Sequence, residues 1–276
     1  MFAKIGLAIT FSPTGRALLK ETLRLQNLFD SQLVLIHIGE KNKEAEERLY
    51  GTIESAGIKE NSYEVIWDKG DPASAILKNS TKAKVDLLIS GALEKENLFK
   101  FYFGSVARTI MREFGSSTLI LKSPTENPSG FKRFYVSADY SLLGEKTILT
   151  AYKFALRENA SEFVIVRDFH APGISASIID GGTSDEIQLA KKQWISEEEE
   201  KMKLFVRELN LKEIEPKIVC LYGREGWEAG NYARQKNADI FVVYSQPKKL
   251  KFLDKLFPHD SEFTFEKLPS NLLIIR

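Results

Sequence analysis

The sequence predicts an α/β protein built from two tandem doubly wound domains, each a five-stranded parallel sheet with helices on both faces. Two observations lead to this fold class: short apolar runs alternate with helical patterns, and the whole pattern occurs twice along the 276 residues. The runs are continuously apolar rather than alternating, as in strands covered on both faces. Repeated β-α-β units with right-handed crossovers then give a doubly wound layer structure.

The internal repeat predicts the domain organisation. Four segments of the first half return in the same order in the second: 4–12 as 133–141, 31–36 as 161–166, 85–89 as 238–242, and 117–122 as 271–276. A repeat this long is a domain, because solenoid repeats run about 20 to 50 residues. The turn-rich stretch after Lys122 reads as a linker. We therefore predict domains at 1–122 and 132–276, joined by 123–131.

The elements of the first half follow from local pattern. Strands are predicted at 5–9, 33–38, 63–67, 85–89 and 118–121, and the first helix at 16–29. Asp71 and Pro72 predict the start of another helix, as N-cap and first-turn proline. Asp86 reads as a strand-entry residue.

The second half carries extra residues between about 170 and 200. The first part, 170–184, is predicted to be a mobile loop. The four consecutive glutamates at 197–200 are predicted to form the solvated face of a helix.

Charge and composition argue against nucleic acid and membrane as binding partners. Lysine and arginine number 39 against 38 acidic residues, a net charge of +1, which is not typical of a nucleic-acid-binding protein. No apolar run reaches about 18 residues, so no membrane span is expected. The chain enters a strand directly after Met1, which predicts no signal peptide and a cytoplasmic location. The single cysteine, Cys220, lies in an apolar run and is expected to be buried.

Other chemical constellations are sparse. The three histidines, His37, His170 and His259, have no partners at metal-ligand spacing, so no metal site is predicted. No Gly-x-Ser-x-Gly elbow or Walker loop is present, and no catalytic residue is assigned. We therefore expect a protein that is not an enzyme. The three tryptophans are expected to serve the core or an interface; they are Trp67, Trp194 and Trp227.

The loops after the first, second and fourth strands are the candidate ligand site, since ligands in open α/β sheets bind beyond the carboxyl ends of the strands. After the fourth strand, Gly104-Ser105 precedes a helical pattern. A glycine and serine at a helix start offer free N–H groups, a hydroxyl and the positive end of the helix dipole, which suit phosphate. A plain N-cap is the alternative reading.

The wider pattern resembles the tandem universal stress proteins over nearly the whole chain. That family has a phosphate loop of the form Gly-x2-Gly-x9-Gly-Ser/Thr, which stands here as Gly91-x2-Glu94-x9-Gly104-Ser105. The first strand at 5–9 and the Gly70-Asp71-Pro72-Ala73 segment also match. The resemblance implies ATP or AMP bound across the switch point of the sheet. It also implies dimer-like pairing through the last strands, within the chain as a pseudo-dimer or between chains as a homodimer.

The resemblance also implies roles for individual residues of the first half. Thr10 and Phe11 would lie beside adenine and Ile38 would pack on its ring. The ribose and phosphates would contact a second group of residues: Gly91, Gly104, Ser105 and Val106.

Two residues of the first half depart from the family pattern. Thr10 stands where the family has aspartate. Glu94 replaces the middle glycine, and at about 5 Å and an effective dielectric of about 20 its repulsion of phosphate costs roughly 3 kcal/mol. Either Lys95 and Lys100 would offset part of this repulsion, or Glu94 would swing outward.

The second half departs further, and no nucleotide is expected there. Asp139 and Ser141 restore the first-strand pattern. However, the phosphate loop reads Ser245-Gln246-Pro247-Lys248, followed later by Pro258-His259. The glycines are gone, and proline removes N–H donors. Asp168 falls where Ile38 stands in the first half, against the expected adenine face.

These patterns predict a cytoplasmic stress-response regulatory protein whose first domain binds ATP or AMP. Binding rather than turnover would be the working event. The main alternative is an interaction or scaffold module that has lost its nucleotide and works through dimer-like pairing. A nucleotide-dependent enzyme is a third alternative.

Overall fold

The computed structural model describes residues 1–12, 14–58, 62–91, 93–95, 100–102, 105–170, 183–245 and 270–276. The strands in these ranges are β1 (Lys4–Ala8), β2 (Gln32–Ile38), β3 (Tyr63–Asp68), β4 (Leu87–Gly91), β5 (Leu93–Lys95), β6 (Lys100–Tyr102), β7 (Ser117–Leu121), β8 (Arg133–Ser137), β9 (Glu162–Phe169), β10 (Lys217–Tyr222), β11 (Ile240–Tyr244) and β12 (Asn271–Ile275). The helices are α1 (Gly15–Phe29), α2 (Lys43–Ser55), α3 (Pro72–Lys82), α4 (Ser105–Glu113), α5 (Leu142–Arg157), α6 (Ser184–Glu208) and α7 (Glu228–Gln235).

Ten of these strands form one sheet, in the order β10-β9-β8-β11-β12-β7-β4-β1-β2-β3. Within each half the five strands are parallel. The predicted α/β fold class is confirmed, and the five predicted strands of the first half are displaced by at most two residues at either end. The short antiparallel ribbon β5–β6, between β4 and α4, was not predicted.

The halves meet through their last strands. β7 and β12 pair antiparallel, with Leu119 opposite Leu273, so the dimer-like pairing occurs inside one chain. The first strand of the second half begins at Arg133, and residues 123–131 contain no helix or strand. The exact domain boundaries stay a prediction.

Side-chain contacts reinforce this seam on the α1–α5 face. The rings of Phe29 and Phe154 meet edge to face, with centroids 4.9 Å apart. The guanidinium of Arg24 donates to both carboxylate oxygens of Glu158, at 2.7 and 2.9 Å, and to Glu21 in its own helix. Both glutamates are buried. This clamp of two carboxylates around one guanidinium joins the two halves.

Apolar side chains cover both faces of the sheet. In β2, Leu33 and Leu35 belong to the large core cluster on one face, whereas Val34 and Ile36 belong to a second cluster on the other. This burial of successive residues explains why the strand runs are continuously apolar.

Two aspartates, Asp86 and Asp239, make equivalent hydrogen bonds in the two halves. The Asp86 carboxylate accepts the backbone N–H groups of Ala3 and Lys4, and Asp239 does the same for Lys132 and Arg133. Each aspartate thus fixes the start of the first strand of its half. Asp86 also directly precedes β4, which begins at Leu87, in line with its prediction as a strand-entry residue.

The structure also tests the predictions made for Asp71, Cys220 and the three tryptophans. Asp71 caps α3 through the N–H of Ser74, as predicted. Cys220 is buried, and burial raises the pKa of its thiol to about 12. Trp67 and Trp227 are partly buried, whereas Trp194 is exposed on α6.

The inserted helix α6 differs from its prediction. It begins at Ser184, behind a capping box formed by Thr183 and Glu186, and runs for 25 residues. The predicted solvated glutamate face is wrong at Glu198, which is only 9% exposed. That carboxylate accepts from Arg167 of β9 at 3.2 Å, because it lies on the helix face that packs on the sheet. Of the loop predicted at 170–184, residues 171–182 lie outside the described residues, whereas Thr183 and Ser184 are the N-cap and first residue of α6.

Candidate functional site

The candidate site lies at the carboxyl ends of β1 and β4. β1 stands between β4 and β2, so the strand order reverses here and the connecting chains leave in opposite directions. This reversal opens a crevice in doubly wound sheets. The matching place in the second half lies between β8 and β11.

A glycine follows the first strand of each half, and close approach of the backbone explains it. A Cβ atom on Gly15 would lie 2.6 Å from the carbonyl oxygen of Thr10. A Cβ atom on Gly144 would lie 2.5 Å from the carbonyl oxygen of Asp139. Both distances are below van der Waals contact, so only glycine lets the following helix start this near the strand end. The same device therefore shapes both crevices.

Thr10 is exposed at the end of β1, and Phe11 follows it. The Phe11 ring lies 4.7 Å from the His37 ring, and the guanidinium of Arg48 lies 4.6 Å from the Phe11 ring centre. Arg48 also donates to the Phe11 carbonyl at 3.4 Å. Phe11 is thus held in place beside the crevice, and its contact with adenine stays a prediction.

His37 is a buried packing residue. Its Nδ1 lies 3.1 Å from the carbonyl oxygen of Ile9, and its ring meets that of Trp67 with centroids 4.6 Å apart. The Trp67 indole donates to the Gly39 carbonyl at 2.8 Å. Across the described part of the chain, no three metal-ligating side chains come together.

The other predicted residues of the first half lie on neighbouring elements. Ile38 ends β2 and Val106 lies in the first turn of α4, and both pack against one apolar cluster beneath the sheet. Gly91 ends β4 opposite Leu121 of β7. Ser105 begins α4, whereas Gly104 lies outside the described residues.

The ribbon after β4 carries the charged residues of the predicted phosphate loop. Glu94 and Lys95 belong to β5, and Lys100 belongs to β6. Lys95 and Lys100 are partners in the register of the two strands. The residue predicted to oppose phosphate and the two predicted to offset it therefore lie in the same short ribbon.

The crevice of the second half is closed by a tyrosine. The strand register places Tyr244 opposite Ile275, in the position that Gly91 holds opposite Leu121. The Tyr244 hydroxyl donates to the Asp139 carboxylate across the strand-order reversal. Burial, followed by this hydrogen bond to the carboxylate, raises the pKa of Tyr244.

Asp139 has further partners on its own loop. Its other oxygen accepts from the backbone N–H of Ser141 at 3.0 Å and from the Ser141 hydroxyl at 2.5 Å. The Ser141 hydroxyl in turn caps α5 through Gly144. Both carboxylate oxygens of Asp139 therefore accept hydrogen bonds from groups of the protein itself.

Asp168, predicted to lie against an adenine face, instead holds the loop before α7. Its buried carboxylate, 4% exposed, accepts the N–H groups of Gly226 at 2.7 Å and Ala229 at 3.3 Å. Burial raises the pKa of this carboxyl, although the two amides act in the opposite direction. Ser245 is buried. The remainder of the predicted second phosphate loop, including Gln246, Pro247, Lys248, Pro258 and His259, lies outside the described residues.

The inserted helix α6 contacts the loop after β8, beside the crevice of the second half. The Tyr140 hydroxyl donates to Glu198 at 3.0 Å, and the guanidinium of Arg167 lies 5.6 Å from the Tyr140 ring centre. Glu198 belongs to α6, so this network ties the inserted helix to the loop after β8. The first half has no counterpart among its described residues.

Comparison with known proteins supports the fold. No protein-family model and no curated protein sequence matches the chain. A protein of Pseudomonas aeruginosa UCBPP-PA14 that carries the universal stress protein name is 13% identical, with a TM-score of 0.67 over 99% of this chain and 93% of its own. A universal stress protein from Archaeoglobus fulgidus DSM 4304 is 18% identical, with a TM-score of 0.64 over 99% of this chain and 98% of its own.

A shorter relative matches only half of the chain. A universal stress protein family protein from Arabidopsis thaliana, solved with AMP bound, is 16% identical and covers 46% of this chain and 97% of its own, with a TM-score of 0.32. Similarity at this level does not carry the AMP over to this chain. The two full-length matches define the architecture: the chain has the fold of tandem universal stress proteins.

Sequence reasoning missed Tyr244 as a functional position. The signal was present in the repeat: Tyr244 follows Asp239 by the five residues that separate Gly91 from Asp86. Alignment on the two aspartates therefore identifies the tyrosine that replaces the first glycine of the phosphate loop.

Proposed function

We propose that the first half binds an adenine nucleotide, ATP or AMP, at the carboxyl ends of β1 and β4. One observation carries this proposal: the Tyr244–Asp139 hydrogen bond that closes the second crevice cannot form in the first. Gly91 has no side chain to cross the reversal, and Thr10 has no carboxylate to receive it. Of the two crevices, the first is therefore the one left for a ligand.

The anion preference of this crevice follows from α4. The helix begins at Ser105, directly after the β5–β6 ribbon that follows β4. The first turn of a helix has N–H groups without intrahelical partners and a partial positive charge, which together favour phosphate. Lys95 and Lys100 add two positive charges to the ribbon against the single negative charge of Glu94. This balance supports a phosphorylated ligand despite the altered loop.

The biological role we propose is that of a cytoplasmic stress-response regulatory protein. None of the described helices is long and apolar enough to cross a membrane. We assign no nucleophile or general base, so the event that matters would be binding, with the nucleotide released unchanged. On this view the protein is not an enzyme.

A scaffold without nucleotide is the second candidate function. The Tyr244–Asp139 hydrogen bond and the β7–β12 pairing favour it, because protein side chains span the strand-order reversal of the second half and backbone pairing joins the two halves. In that case the first crevice would be a remnant, and the surfaces of the paired halves would bind other proteins.

Calorimetry on the intact chain separates the two. We expect micromolar binding of ATP or AMP, one per chain, that is abolished by Ser105→Trp and retained by Ser55→Trp. Ser55 makes a matched control, because it is exposed at the end of α2, away from the crevice. An absence of heat at millimolar nucleotide would support the scaffold. Phosphate release that is lost in Ser105→Trp would instead show an enzyme.

A further inference from the structure

The last side chain of the sequence crosses from the second half to the first. Arg276 follows β12, and its guanidinium donates to the carbonyl groups of Met111 and Phe114, with a longer contact to Arg112 at 3.5 Å. These carbonyls form the C-terminal end of α4. The same helix begins at Ser105, in the candidate site.

Elementary helix chemistry explains why an arginine is placed here. The last carbonyl groups of a helix lack intrahelical partners and carry a partial negative charge, so a guanidinium satisfies both needs. Burial lowers the pKa of Arg276 to about 10, which still leaves the side chain charged at neutral pH. No carboxylate of the described residues pairs with it, so its charge is directed to the end of α4. Its own backbone carbonyl accepts from Lys146 at 2.7 Å, which fixes the end of β12.

The packing of α4 shows why its position depends on both halves. Ile110 and Phe114 pack into a cluster with residues of the first half. Ala107 and Met111 pack into a different cluster, which includes Ile274 and other residues of the second half. The helix therefore lies over the seam and has buried apolar contacts with residues of both halves.

We propose that Arg276 is a positioning residue that holds α4 in place and thereby couples the second half to the ligand affinity of the first. The coupling to ligand rests on the proposed nucleotide site, whereas the positioning of α4 does not. Loss of the guanidinium frees the C-terminal end of α4, and the helix start at Ser105 then loses its fixed place beside β4.

Hydrogen exchange on the intact chain tests the positioning step. We expect Arg276→Met to speed amide exchange in residues 105–114 at least fivefold, and Arg276→Lys to restore part of the protection. Arg157→Met is the matched control: Arg157 also crosses the seam and donates to the carbonyl of Leu28 in α1 at 2.7 Å, away from α4. Unchanged exchange at 105–114 in Arg276→Met would overturn the proposal.

AMP titration of the same variants tests the coupling. We expect Arg276→Met to weaken AMP binding about tenfold while Arg157→Met leaves it unchanged. Faster exchange with unchanged AMP affinity would overturn the coupling. If the unaltered chain binds no AMP, the proposed function fails, and the exchange experiment still decides whether Arg276 positions α4.

Discussion

The hydroxyl of Tyr244 donates to the carboxylate of Asp139 across the strand-order reversal of the second half. At the equivalent positions the first half has Gly91 and Thr10, which cannot form this bond. The two halves thus share one fold and differ at the place where doubly wound sheets bind ligands. This difference leads to predictions about stability and about binding.

Removal of the Tyr244 hydroxyl should destabilise the protein. Tyr244→Phe leaves the ring in place but takes a hydrogen bond from a carboxylate, and bonds to charged groups contribute about 1.5–3 kcal/mol. We expect a loss of that size in urea unfolding. Tyr50→Phe is the control, because Tyr50 is 43% exposed, and it should change stability by less than about 0.5 kcal/mol. Equal effects of the two variants would contradict a closing role for Tyr244.

The closure should be transferable to the first half. In the double variant Thr10→Asp with Gly91→Tyr, the two residues of the second crevice replace those of the first. A Cβ atom at Gly91 would meet the Leu18 side chain at 3.3 Å, a contact that a small shift relieves. We expect nucleotide binding to disappear in calorimetry while the circular dichroism spectrum stays the same. Retained affinity in the folded double variant would show that the ligand lies elsewhere.

The glycines after the first strands should tolerate no side chain. Gly144→Ala places a Cβ atom 2.5 Å from Asp139, and Gly15→Ala places one 2.6 Å from Thr10. Overpacking of this kind costs typically about 1–3 kcal/mol. Gly51→Ala is the matched control, because no atom lies within 4 Å of its added Cβ within α2. That change should stabilise the helix by about 0.5–1 kcal/mol. Thermal unfolding of the three variants measures these changes: the melting temperature should fall for Gly15→Ala and Gly144→Ala and rise for Gly51→Ala.

The clamp between the halves should make stability depend on pH. Burial raises the pKa of Glu158 in the folded chain, despite the opposing effect of Arg24. A carboxyl with a raised folded pKa contributes stability that is present below its unfolded pKa, about 4.3, and is lost as pH rises through the folded value. We expect Glu158→Gln to remove this decline, measured as the difference in unfolding free energy between wild type and variant across that window. A difference that grows with pH in favour of the wild type would contradict the assignment.

Loss of the arginine should cost more than loss of the glutamate. Arg24→Met leaves the buried carboxylates of Glu21 and Glu158 without their shared cation. Breaking a buried ion pair on one side costs about 3–5 kcal/mol. In urea unfolding at neutral pH we expect Arg24→Met to be less stable than Glu158→Gln. The reverse order would show that the guanidinium is not what neutralises the pair.

Much of the fold was predictable because its signals are local. Continuous apolar runs mark strands buried on both faces, and Asp71-Pro72 marks a helix start, so these elements lie where expected. The β5–β6 ribbon was missed because strands of three residues carry no periodicity. Among four consecutive glutamates, nothing in the sequence distinguishes Glu198; only the face that α6 turns to Arg167 makes it buried.

The site was predictable only in part, for a similar reason. Thr10 and Gly91 follow predicted strands and Ile38 is the last residue of one, so their places at one edge of the sheet follow from topology. The bond from Tyr244 to Asp139 joins residues 105 positions apart, and the contacts of Arg276 with α4 span more than 160. Such pairs depend on how strands and halves assemble, which local pattern does not specify.

The seam between β7 and β12 has a consequence for how this molecule behaves when diluted. In an assembly of two separate chains, such a pair of strands would come apart at low concentration, since association is bimolecular. Here both strands belong to one polypeptide, so their union is a first-order event and its extent is the same at nanomolar and millimolar protein. The covalent connection also lets each copy keep different residues at its crevice, which two identical subunits could not do.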